Sequence, residues 1–348
     1  MYDCIIIGGG QAGLVMGYFL QKTKKKFLII DKEAEIGDVW RKRYDSLTLF
    51  TPRMYSSLPG LPMEGEPMGY PTKDEIADYL ARYAKTFSLP VQLQTEVIKL
   101  SKTCESFEVH TSLGKLYAKN IVVATGPFQK PFIPSFSKNL PPNIFQVHSS
   151  EYRNPEQLKM ESVLVVGGGN SGAQIATEIS AERKTYLSVS QRLKFLPLSI
   201  GKKSIFWYFD KLGLYRAAVH TKIGQYLKKQ PDPIFGYELK TQLRSGKLHL
   251  KPRTTGFSED CFIFEDGSRV KVYNVIWATG FRMDFSWINI PQIFDENGDI
   301  RHQRGITPVS GLYFLGLPWQ YNRGSALLLG VGKDAEYLYQ HIVQASSN

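Results

Sequence analysis

The feature that most limits how this chain can fold is an apolar run that opens into a glycine turn, and that occurs twice. Cys4–Ile7 leads into Gly8, Gly10 and Gly13, and Ser162–Val166 leads into Gly167, Gly169 and Gly172. A short uninterrupted apolar run suits a parallel strand buried on both faces. The first glycine permits a tight turn, the second lets backbone approach a pyrophosphate, and the third lets a helix pack closely on the strand. Helices are predicted over 11–21 and about 170–181, with further strands over 27–30 and near 186–189. Gly17 stands one turn beyond Gly13, and Ala176 stands at the same place in the second copy. Each helix start would offer free N–H groups and a partial positive charge to an anion. One such glycine turn is weak evidence; two, each between a strand and a helix, are much stronger.

The copies also end alike. Asn120–Gly126 reads NIVVATG and Asn274–Gly280 reads NVIWATG. From first glycine to ATG alanine the gap is 124 − 8 = 116 residues in one copy and 278 − 167 = 111 in the other. Strand-and-turn regions precede each ending: Phe107–Tyr117 contains Gly114, and Phe262–Tyr273 contains the hairpin signal Asp266-Gly267. The pattern implies an α/β fold in which one nucleotide-binding unit, with a small β-meander, is present twice. Thr72 and Glu75 form a capping box before Ile76, Tyr79, Leu80, Tyr83 and Phe87, which marks a packing helix.

The copies differ at the sugar position. Asp31 lies 23 residues after Gly8, and the same offset from Gly167 lands on Ser190, with Arg192 and Lys194 close behind. A carboxylate accepts hydrogen bonds from a ribose 2′-OH and repels a 2′-phosphate, whereas a neutral residue beside an arginine accepts that phosphate. The second copy therefore favours NADPH, with NADH left open. Taken alone, the first could hold NAD or FAD. The presence of two sites favours FAD there, because one cofactor can then receive hydride from the other.

Composition excludes some alternatives. The 348 residues suffice for two domains. The formal charge of +11 attracts anions of many kinds and selects none. Cys4, Cys104 and Cys261 form no CxxC pair and no metal-ligand spacing, so a dithiol–disulfide site, structural zinc and a secreted disulfide framework are disfavoured. The uncharged stretch 4–20 lacks a basic leader and is too short to span a bilayer. We therefore expect a cytoplasmic protein with no transmembrane span. No nucleic-acid-binding module is visible.

Across nearly its whole length the chain resembles the class B flavin-containing monooxygenases, in particular the short bacterial members. The motifs that carry this are GGGQAG with Asp31, GDVW at Gly37–Trp40, DSLTLFTPRMYSSLPG at Asp45–Gly60, ATG at Ala124–Gly126, GGGNSGAQIA from Gly167, ATGF from Ala278, and GLYFLGLP at Gly311–Pro318. The resemblance implies two Rossmann-like domains, the NADPH domain inserted in the FAD domain. The FAD domain would comprise 1–150 and 282–348, and the NADPH domain 151–281 with a helical insertion over 193–246. Gly8, Gly10, Gln11, Ala12 and Gly13 would meet the FAD pyrophosphate, and Asp31 its ribose, with Lys32 and Val97 also among the cofactor contacts. Trp40, Leu47 and Thr48 would line the flavin. Thr125, Gly126, Thr279 and Gly280 would lie where the chain passes between domains. Gly167, Gly169, Asn170, Ser171 and Gly172 would hold the NADPH pyrophosphate, with Arg192 at the 2′-phosphate. The loop Tyr321–Ser325, including Asn322 and Ser325, would run beside the isoalloxazine into a helix whose N-terminus faces the ring.

The chain departs from that pattern in three places. In the fingerprint FxGxxxH, Pro142 and Ile144 replace Phe and Gly ahead of His148, which reads as structural. Asp38 replaces the second glycine of GGxW, and Phe50 stands where many members place an Asn.

The implied activity is hydride transfer from NADPH to FAD, then oxygenation of a small organic substrate by O2 through a C4a-(hydro)peroxyflavin. No acid–base triad is expected, and no catalytic residue is assigned. Two alternatives stay open. One is an NADPH-dependent flavin oxidase or reductase without oxygen insertion. The other is a redox-sensing regulator of a partner such as a transporter. Oligomeric state is open too, with a homodimer among the options. Within the insertion, Lys202–Gln230 carries seven Lys/Arg and one Asp. It reads as a lid over the substrate channel, a solvated helical excursion, or a patch touching anionic lipid.

Overall fold

The structure, a computed structural model, describes residues 1–344. The first glycine turn lies between β1 (Tyr2–Ile7) and α1 (Gln11–Leu20), followed by β2 (Phe27–Ile30). α2 (Asp38–Arg41), α3 (Lys73–Thr86) and β3 (Val91–Gln92) come next. The meander is β4 (Val97–Lys102), β5 (Phe107–Thr111) and β6 (Gly114–Val123). The sheet runs β3-β2-β1-β6, and β6 does two jobs. Its first half pairs antiparallel with β5, while its second half pairs parallel with β1 on one edge and with Leu312–Phe314 on the other. Every residue of Cys4–Ile7 and of β2 is buried, because helices cover one face and the meander side covers the other. Helix α8 (Leu328–Gln344) packs along α1. The capping box on α3 forms: Glu75 N–H donates to Thr72 Oγ1 at 3.3 Å, and Thr72 N–H donates to Glu75 Oε2 at 2.8 Å.

The second unit repeats the plan with β9 (Val163–Val166), α4 (Asn170–Ile179) and β10 (Thr185–Ser188). Its sheet is wholly parallel, in the order Leu248–Lys251, β10, β9, Asn274–Trp277, then β8 (Phe145–His148). The meander Thr254–Ser258, Cys261–Phe264, Arg269–Val270 covers one face through Phe262 and Phe264. The fold is thus α/β with two Rossmann-like units, the second inserted in the first.

Comparing the sheets moves two boundaries. Each needs a strand beyond its ATG strand. The first sheet takes Leu312–Phe314 from far downstream, and the second takes β8 from just upstream. We therefore divide the units not after residue 150 but at the paired linkers Lys130–Pro131 and Phe281–Arg282. The insertion also ends before 246. Helix α7 (Glu238–Arg244) packs on α4 and on the strand Leu248–Lys251, occupying in this unit the place of α3. The true excursion lies between β10 and α7, residues 189–237, and contains α5 (Ile205–Lys211) and α6 (Lys222–Lys229). It has a counterpart, since residues 31–72 separate β2 from α3.

Candidate functional site

Both glycine turns have one geometry. Gly8 and Gly167 have φ of +112° and +122°, a region that disfavours side chains. A Cβ on Gly8 or Gly167 would strike the carbonyl of Ala124 or Ala278, each in its own ATG strand. A Cβ on Gly13 or Gly172 would fall on the carbonyl oxygen of Gly8 or Gly167. By contrast, a Cβ on Gly10 or Gly169 would meet nothing within 4 Å among the described residues. At each helix start the backbone therefore faces open space, beside first-turn N–H groups that have no intrahelical acceptor. That is a cradle for a phosphate.

Beyond the first cradle, the Asp31 carboxylate is locked in place. Oδ2 accepts the Gly9 N–H, and Oδ1 accepts the Glu33 N–H at 2.8 Å. Lone pairs remain for ribose hydroxyls. Lys32 beside it is exposed. Gln11 Nε2 donates to the Ala326 carbonyl at 3.4 Å, tying this cradle to the turn before α8. Ala12 is buried, and Gly316, after the returning strand, approaches it so closely that a Cβ there would sit 3.1 Å away. Trp40 packs against the same core, and its indole Nε1 is buried with no hydrogen-bond partner among the described residues. Val97 opens β4 and packs with the core on the meander side. These residues fit an adenine dinucleotide with a free ribose.

Next to the second cradle lies a cavity of about 580 Å³ lined by Gly167–Gly169, Ser190, Arg192, Lys194, Arg253 and Thr279, among others. Arg253, missing from the sequence-based site, follows the strand Leu248–Lys251. Carboxyl ends of parallel strands open onto the ligand crevice, and that rule was the signal available for finding it. The Asn170 side chain is committed elsewhere: Nδ2 donates to the Pro233 carbonyl at 3.1 Å, and Oδ1 accepts the Phe235 N–H at 3.1 Å. Asn170 can therefore offer a pyrophosphate its backbone N–H and its second side-chain N–H, from an amide held in place by the other two bonds. Ser171 is exposed and Gly172 sits where α4 meets β9.

The two crossovers between units are braced. Gln129 Nε2 donates to Thr125 Oγ1 at 3.0 Å and to the Gly126 carbonyl at 2.8 Å, while Asp284 N–H donates to Gln129 Oε1 at 2.7 Å. Thr279 Oγ1 donates to the Phe132 carbonyl, and the Gly280 carbonyl accepts from His148 Nε2 at 3.0 Å. His148 Nδ1 accepts the Ser150 N–H at 3.1 Å, and burial lowers the imidazole pKa. His148 is thus a neutral brace beside the linkers.

Residues from both units converge between the cradles. Tyr44 donates to Gln174 Oε1 at 2.7 Å, and Gln174 Nε2 donates to the Thr48 carbonyl at 3.1 Å, so α4 holds the segment that carries Leu47 and Thr48. Leu47 itself packs into the core of the second unit. Phe50 stacks on Phe235 (4.6 Å, 18°) and on Phe206 of α5 (6.0 Å, 20°), and Phe206 stacks on Tyr215 (5.5 Å, 11°). The Tyr215 hydroxyl is buried without a hydrogen-bond partner among the described residues, and burial raises its pKa. Asn322 and Ser325 fold the loop before α8. Ser325 Oγ accepts the N–H groups of Tyr321 and Asn322 at 3.0 and 3.1 Å, and Asn322 Oδ1 accepts the Gly324 N–H at 2.8 Å. The Arg323–Asp232 ion pair, 2.6 Å, joins that loop to the wall of the cavity. All three cysteines are free, and burial pushes the Cys4 thiol up to about 12, which removes it from thiolate chemistry.

The family pattern described as pyridine nucleotide-disulphide oxidoreductase matches residues 5–193. That described as flavin-binding monooxygenase-like matches residues 189–310. The chain is 58% identical over 341 residues to the "uncharacterized oxidoreductase CzcO-like" of Geobacillus kaustophilus, covering 98% of each chain. It is 53% identical over 342 residues to the "uncharacterized oxidoreductase CzcO" of Bacillus subtilis, covering 98% of this chain and 99% of that one. Among solved structures, the flavin-containing monooxygenase from Stenotrophomonas maltophilia superposes with a TM-score of 0.83 at 28% identity, with 99% of each chain covered.

Proposed function

The chain belongs to the pyridine-nucleotide oxidoreductases, in their flavin-binding monooxygenase-like branch, and from that premise we propose that it draws hydride from NADPH onto FAD and oxygenates a small organic substrate. The observation that carries this reading is the contrast between the cradles. One ends in a locked carboxylate, and the other opens into a cavity holding Arg192 and Arg253. When bound, FAD would accept hydride and, once reduced, activate O2 for transfer to a soft nucleophile or a carbonyl.

This chain's own residues bind and orient. Gly10, Gln11, Ala12 and Gly13 present backbone N–H groups to the FAD pyrophosphate, and Asp31 accepts from its ribose. Gly169 and the start of α4 do the same for NADPH, with Arg192 and Arg253 taking the 2′-phosphate through charge-assisted hydrogen bonds. The Tyr44–Gln174–Thr48 chain keeps the flavin-lining segment at a fixed height over α4. Phe50, Phe206 and Phe235 form an apolar wall beside the segment that carries Thr48, which would keep water from the reacting groups, so a substrate that is apolar around its reacting group fits best.

The test is anaerobic reduction of the purified protein with NADPH, then mixing with oxygenated buffer while following flavin absorbance. The reading requires reduction by NADPH faster than by NADH, and an oxygenated product once substrate is present. Stoichiometric release of hydrogen peroxide under all conditions would make the protein an oxidase. Failure to take up flavin would end the proposal.

A further inference from the structure

Helix α6 is anchored beneath and bare above. Its N-cap Thr221 accepts the Gly224 N–H at 3.1 Å. Gly224 is buried so tightly that a Cβ would strike the Ala218 carbonyl, and Val219 N–H donates to the Tyr321 carbonyl at 2.7 Å. On the outer side, Ile223 and Tyr226, one turn apart, are 57% and 63% exposed. Lys222 and Lys229 lie four residues before and three after Tyr226 and share its stripe. No carboxylate occurs in the helix. In the same excursion Leu212 is 72% exposed, and Lys203 and Lys211 lie over the Trp207 ring. Residues 202–230 carry seven basic and one acidic side chain, a net +6 out of +11 for the chain.

An aliphatic and a tyrosine held outward between lysines do nothing for folding, because their burial against water is forgone. They suit a surface that is anionic at its face and apolar just below. We propose that α6 and the adjoining turn dock this protein on an anionic lipid bilayer, with Ile223 and Tyr226 entering the headgroup boundary and Lys222 and Lys229 lying against lipid phosphates. A second copy of this chain is a poor occupant, since two such basic faces repel.

The experiment is co-sedimentation of the flavin-loaded protein with phosphatidylcholine vesicles, with and without phosphatidylglycerol. Binding is expected only with phosphatidylglycerol and should fall as salt is raised. K222Q combined with K229Q should weaken partitioning roughly 30-fold, about fivefold per lysine. I223S combined with Y226S should abolish retention. Both variants should keep their flavin, their thermal midpoint and their NADPH oxidation in vesicle-free buffer. Sedimentation that is absent, equal on both vesicle types, or unchanged in the variants overturns the proposal. So does capture of an acidic protein by this face in place of vesicles.

Discussion

Substituting alanine at Gly169 and Gly172, three residues apart, should separate folding from cofactor binding in the second unit. In Gly172→Ala the new methyl lands on the Gly167 carbonyl oxygen, with the Gly167 carbonyl carbon at 3.1 Å and the Ala278 Cβ at 3.2 Å. The nearest two of these are backbone atoms, so no rotamer relieves the clash, and α4 must retreat from β9 by roughly 1 Å to regain contact distance. Overpacking of this kind costs about 1–3 kcal/mol. With no side chain able to give way, the upper half of that range applies, a drop in Tm of roughly 5–10 °C. In Gly169→Ala the methyl meets nothing within 4 Å, and φ of −78° is open to any residue. Loss of a glycine N-cap then costs under about 1 kcal/mol. The same methyl, however, occupies the approach of the pyrophosphate. Losing one charge-assisted hydrogen bond, worth about 1.5–3 kcal/mol, should raise the KM for NADPH roughly 10- to 100-fold. Flavin absorbance should be unchanged in Gly169→Ala, since the first cradle is untouched. Calorimetry and steady-state oxidation of NADPH read the two effects separately. Equal Tm losses in the two variants, or an unaltered KM in Gly169→Ala, would refute the reasoning.

Three further outcomes follow from the same geometry. Asp31→Asn removes the charge that Gly9, Glu33 and a ribose share, and should weaken FAD roughly 10- to 100-fold, read by titrating apoprotein with flavin. Arg192→Ala and Arg253→Ala should each raise the KM for NADPH about tenfold and leave that for NADH nearly unchanged; equal effects on both cofactors would remove them from the 2′-phosphate. The Asp284 carboxyl is held down at about 2 from an ordinary 3.8, chiefly by its hydrogen bond from Lys130. A depressed carboxyl stabilises the fold above its unfolded pKa, so the contribution is whole above about pH 4 and fades as pH falls toward 2. The denaturation midpoints of wild type and Asp284→Asn should therefore differ near neutrality and converge in that window.

The elements legible in the sequence are those whose partners are close by. β1, α1 and β2, and again β9, α4 and β10, are readable because strand, glycine turn, helix and second strand follow one another within about thirty positions, even though β6 and Asn274–Trp277 pair with them from afar. The capping box of α3 is equally local. Arg192 was found by an offset within one unit. Arg253 was not, because it reaches the cavity from a strand some sixty residues later, and only sheet order brings the two together. For the same reason the motifs alone leave β8 with the first unit: its partner, Asn274–Trp277, lies far downstream. Asn170 shows the opposite failure. Its motif position is legible, but its side-chain oxygen and one side-chain N–H bind the backbone at Phe235 and Pro233, which no local pattern announces.

These misses have one physical origin. Each unit carries a long excursion between its second strand and the helix that follows, 31–72 in the first and 189–237 in the second. Neither excursion folds on its own unit alone. The first puts Tyr44 and Leu47 into the core of the second unit and hangs Thr48 on Gln174 of α4. The second sends Val219 to the Tyr321 carbonyl, Asp232 to Arg323, and Phe206 and Phe235 to Phe50. Each cradle is built from strands and glycines of its own unit, but the space between them is walled by both excursions. A duplicated nucleotide-binding unit thus becomes a site for joint chemistry through the segments that do not repeat. Those segments are where substrate preference must be sought.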